Sequence, residues 1–128
     1  MKTLQYPFGE IRVFRNYVIA IMKEGVTVIP EYNDELVTIA GTYFKSRPFG
    51  YITHRINSYS VNPLVYLETY KIENLAAFAV VTTKENQISN LIMEEIFMKF
   101  PFRHFTSLAE AIKWINSMVE KKVGFNKK

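Results

Sequence analysis

Apolar residues along this chain change their spacing several times, and each change predicts a change of element. Residues 10–23, EIRVFRNYVIAIMK, are dense in Ile, Val, Phe and Tyr, which favour pleated, half-buried backbone. They predict one bent strand or a tight hairpin turning at Arg15-Asn16, ended by Gly25. After Pro30 the spacing turns helical: Leu36, Ile39, Ala40 and Tyr43 share a face that Phe44 widens. Glu31, Asp34 and Glu35 sit near the start of this expected helix, residues 31–46, where the helix dipole favours negative charge. Arg47-Pro48 marks its end. Gly41 inside it costs about 1 kcal/mol relative to Ala, which predicts close packing against a neighbour.

Residues 49–56 predict the next strand, after which Asn62 is a good N-cap with Pro63 at the first helical position. That helix runs to about residue 72. LAAFAVVT, residues 75–82, is an unbroken apolar run, as expected of a strand covered on both faces. Helical spacing returns over 84–100, until Pro101. FRHF reads as a short strand. Ser107 and Glu110 form a capping box ahead of a helix whose stripe is Leu108, Ala111, Ile112, Ile115, Met118 and Val119.

Strand and helix therefore alternate four times, with room for one further strand at the start. The expectation is an α/β fold: a mostly parallel sheet of four to five strands with helices packed on it. No repeat or linker divides the chain, so residues 1–128 read as one domain with a basic C-terminal tail over 120–128.

Composition narrows the function classes. A chain of 128 residues buries roughly two-thirds of its unfolded surface, and 48% apolar content supplies a core. The absence of cysteine excludes a disulfide framework, a thiolate zinc site and a cysteine nucleophile together. Gln5, Pro7, Gly9 and Glu10 interrupt any leader-like apolar stretch, and the run from Leu75 to Val81 is too short to span a bilayer. A soluble, cytoplasmic protein is expected. The net charge of +4 owes much to Lys121, Lys122, Lys127 and Lys128, while other basic residues are scattered, so nucleic acid is not an expected partner.

Order and patterning together resemble a known family. The early strand ending in KEG, the strand FGYITHRIN, the strand AAFAVVT and the closing FTSLAEAIKWI resemble the STAS domain, and more closely the SpoIIAA-like proteins of the STAS/SEC14 grouping. Phe105, Ser107, Ala111 and Trp114 look like that group's final helix. The resemblance implies a superhelix of strand-helix turns and a regulatory module that acts through protein contacts. Regulatory STAS domains carry a phosphorylatable serine in an Asp-Ser-Gly-like loop. The corresponding loop here is Asn57-Ser58-Tyr59-Ser60, which has no Asp-Ser-Gly. SEC14-type relatives hold lipids in a larger fold than this chain can build.

Parallel sheets bind ligands outside the carboxyl ends of their strands. That edge should gather Lys23, Glu24, Asn57, Ser58, Tyr59, Ser60, Thr82, Thr83, Thr106 and Ser107. The candidate ligand or partner residues among them are Asn57 to Ser60, Thr82 and Thr83. The same residue types also serve as caps and turn formers, so a plain strand-to-helix junction is the competing reading. His54 and His104 lack the spacing of metal ligands, and Glu94 and Glu95 are adjacent helix positions that do not face each other. No nucleophile elbow, phosphate loop or dinucleotide turn is present, so neither catalysis nor a cofactor is expected. In IFMKFPF, residues 96–102, apolar residues exceed one helical face, which makes Phe97, Met98 and Phe102 candidate contacts for a protein partner or a second copy of the chain. Two hypotheses follow: a non-catalytic STAS-type binding module, or a small enzyme or anion-binding protein using a polar pocket at the strand ends.

Overall fold

The computed structural model describes residues 1–62, 64–83 and 101–126. The expected helix over 84–100, with Glu94, Glu95, Phe97 and Met98, lies outside them.

The fold is α/β. Among the described residues its sheet has six strands in the order β1 (Lys2–Tyr6), β2 (Gly9–Val13), β3 (Tyr17–Met22), β5 (Phe49–His54), β7 (Leu75–Val81) and β8 (Phe102–Phe105). Two short strands, β4 (Thr27–Val28) and β6 (Ser60–Val61), pair separately as a parallel ribbon. The sheet is mixed. β1, β2 and β3 are antiparallel, whereas β3, β5, β7 and β8 are parallel and follow one another in chain order. Six strands replace the expected four to five, because the first residues form β1 and residues 10–23 fold as the hairpin alternative. Phe14 N–H donates to Tyr17 O across the Arg15-Asn16 turn. Gly9 is needed where β1 turns into β2: its φ is +154°, and a Cβ there would meet Ile21 O at 2.4 Å.

The expected helix over 31–46 is three pieces: a 3₁₀ turn at Pro30–Tyr32, α1 (Asn33–Ile39) and a π-helical segment at Ala40–Phe44. The wider turn delivers Phe44 to the core, where it stacks on Phe49 at 4.4 Å. Gly41 does not pack closely, contrary to expectation. It is exposed on the far side of this segment, with nothing near the position of a Cβ. α2 (Leu64–Tyr70) begins as anticipated, with Leu64 N–H donating to Asn62 Oδ1 at 3.0 Å.

α3 (Leu108–Asn126) starts at Ser107, whose Oγ accepts from Glu110 N–H at 3.4 Å. It continues through most of the expected basic tail, and Val123 adds to the packing there.

Two cores result, one on each face of the sheet. α1, α2 and the β4–β6 ribbon cover one face over Val18, Phe49, Tyr51, Phe78 and Val80. α3 covers the other over Ile19, Ile52, Ala77, Ala79 and Val81. Every residue of β7 is buried, as its apolar run foretold.

Candidate functional site

The candidate loop leaves β5 between two parallel neighbours, at the carboxyl edge of the sheet. Its inner side is committed to the fold. Asn57 Nδ2 donates to Met22 O at 2.8 Å, Ser58 N–H donates to the Glu24 carboxylate, and Gly25 N–H donates back to Ser58 O. Ser60 belongs to β6 rather than to a free loop: it pairs with Thr27, and its N–H donates to Val26 O. The side chains of Ser58 and Ser60 are exposed. Tyr59 turns inward, and its hydroxyl shares a 2.9 Å hydrogen bond with Thr53 Oγ1.

Beneath the loop lies a half-open cavity of about 40 Å³, between the sheet, α2 and the ribbon. β5 contributes Tyr51 and Thr53 to its lining, and Arg55 continues the same two-residue period just past the strand end. α2 contributes Val65, Tyr66 and Thr69, from one face of the helix. Met22, Val28, Val61 and Phe78 complete an apolar floor and wall.

Arg55 organises the polar side. Its Nη2 donates to Tyr66 Oη at 3.0 Å, and its guanidinium carbon lies 5.5 Å from the centre of the Tyr59 ring. Its Nε is buried with no hydrogen-bond partner. Neither ion pair among the described residues, Arg12–Glu10 and Lys71–Glu68, involves it. Thr69 Oγ1 donates to Asn33 Oδ1 at 2.8 Å, tying α2 to the start of α1.

Burial pushes the Tyr51 phenol far above its ordinary value; Tyr59 and Tyr66 add to the rise and Arg55 opposes it. Burial likewise raises Tyr66, against the pull of Arg55. These groups are therefore close enough to feel one another's charge, and both phenols stay protonated at neutral pH.

Of the six candidate residues, Tyr59 alone lines this cavity. Asn57, Ser58 and Ser60 flank Tyr59 in the chain but do not line the cavity. Thr82 and Thr83 lie past the end of β7; Thr82 is buried and donates its N–H to Phe105 O, and Thr83 is exposed. Phe102, a candidate outward contact, is part-buried and stacks on Phe78 at 5.4 Å. His54 is half-buried, and burial and Arg12 lower its pKa. His104 is half-buried too, with its Nε2 unpartnered. No group of three or more potential metal ligands occurs among the described residues. No described helix is long and apolar enough to cross a membrane.

Sequence reasoning missed Tyr51, Thr53, Arg55, Tyr66 and Thr69. The alternation Tyr51, Thr53, Arg55 was a usable signal, since residues two apart on a strand share a face. No protein-family model, curated protein or solved structure matches the chain.

Proposed function

We propose that this chain is a non-catalytic binding or regulatory module of STAS type, acting through protein contacts at loop 57–60. The observation that carries this reading is the division of labour within the loop. The side chains of Asn57 and Tyr59 and the backbone of Ser58 and Ser60 hold it in place, while the serine side chains lie exposed at the middle of the carboxyl edge. A surface held this firmly loses little entropy when a partner docks. The ordered parallel strands agree with the STAS-like layout read from the sequence.

The test compares Ser58→Ala and Ser60→Ala with Ser58→Asp and Ser60→Asp for capture of a native partner and for melting temperature. The aspartate variants should lose the partner at an unchanged melting temperature, because an added charge disrupts an apposed surface. Equal capture by all four variants overturns the reading. The cavity beneath the loop favours a second reading, in which the chain holds a small ligand at the strand ends.

A further inference from the structure

We propose that the cavity beneath loop 57–60 binds a short-chain carboxylate, with Arg55 holding the anionic head. This rests on the ligand-pocket reading and not on protein contacts at the serines.

Three observations carry it. Among the described residues that line the cavity, Arg55 is the only cation, and none is Asp or Glu. One guanidinium balances one negative charge. A doubly charged phosphate would leave a charge uncompensated against a mostly apolar wall.

The second observation is the state of the guanidinium fork. Its Nε–Nη2 edge is the one that grips a carboxylate with two parallel hydrogen bonds. Here Nη2 is held by Tyr66 Oη, while Nε–H is shut off from solvent with no acceptor. A buried donor without an acceptor is costly, and a carboxylate oxygen removes that cost. The Tyr59 ring, its centre 5.5 Å from the guanidinium carbon, backs the cation at the wall of the cavity, which both residues line.

The third observation is size and polarity. About 40 Å³ is room for roughly three water molecules, which suits a tail of two or three carbons. Val28, Val61, Val65 and Phe78 offer that tail an apolar wall, while the hydroxyl-bearing Tyr51 and Thr53 flank the polar end.

The experiment titrates the full chain with propionate, propionamide and inorganic phosphate, following backbone amide NMR shifts of Val61, Val65 and Thr69. Propionate should give saturable shifts there and propionamide none. Arg55→Gln should weaken propionate binding about tenfold or more, the loss expected when a charge-assisted hydrogen bond is removed. Val65→Ile keeps the charge and takes volume, so it decides the matter if Arg55→Gln does not fold. Its propionate Kd should rise, and an unchanged Kd overturns the proposal. Undiminished binding by folded Arg55→Gln, or equal shifts with propionamide, also overturns it. Saturable shifts with phosphate instead of propionate overturn the carboxylate and leave a ligand pocket standing. No saturable shift from any probe overturns both.

Discussion

The two faces of the central sheet are packed in different ways. Under α3 the floor is small: Gly50, Ala77 and Ala79 let the helix approach until Ile115 fills the space above Gly50. Under α1 and α2 the floor is aromatic, with Tyr51 stacked on Phe78 at 4.8 Å and Tyr66 meeting Phe78 edge-on at 5.7 Å. Small residues and one long helix close a surface tightly, because methyl-sized knobs leave few gaps. Large rings under two short helices cannot tile so well, and their polar tips need partners. The gap they leave is the cavity; Tyr66 finds Arg55 as its partner, and Tyr59 of the loop finds Thr53. The tight face is filled, and the loose face keeps a cavity.

The largest effect should come from crowding the tight face. A Cβ on Gly50 would lie 2.2 Å from Ile115 Cγ2, and Ile115 is fully buried with nowhere to move. Gly50→Ala should cost about 3 kcal/mol in urea unfolding. Adding Ile115→Ala should recover more than 1 kcal/mol relative to the sum of the two single changes, the mark of direct contact. Strict additivity would mean that the two residues do not touch.

Alkaline pH should separate the faces next. The Tyr51 phenol has a folded-state pKa raised above the unfolded value near 10, chiefly by burial. The unfolded chain therefore releases this proton first as pH rises. The stabilisation is fully present below pH about 10 and is lost progressively above it, at up to about 1.4 kcal/mol per pH unit. Urea unfolding between pH 10 and 11 should show this slope, and Tyr51→Phe should reduce it by about one proton. A variant with the unchanged slope would place the titration elsewhere.

The smallest effect should be a gain. Val65 lines the cavity, so Val65→Ile puts a methyl group into empty space and should stabilise by about 0.5–1 kcal/mol. A loss beyond 1 kcal/mol would show the loose face to be as tightly packed as the other.

Much of this architecture was written locally. The apolar run of β7, the Asn62 cap of α2 and the Ser107 start of α3 each depend on residues within a few positions of one another. Backbone capping and burial period act at that range, so the sequence by itself determined them, along with the stripe of α3, whereas it left residues 10–23 open between a bent strand and the hairpin that forms. The division of residues 30–44 into three helical types came instead from the need to seat Phe44 on Phe49. Gly41 was misread for the same reason: its surroundings depend on how that segment turns against the sheet. The cavity was decided only in three dimensions. Thr53 meets Tyr59 where the loop folds back on β5, Arg55 meets Tyr66 across to α2, and Thr69 of α2 meets Asn33 of α1. Alternation along β5 sets which side chains share a face, but packing between elements distant in sequence chooses what that face meets.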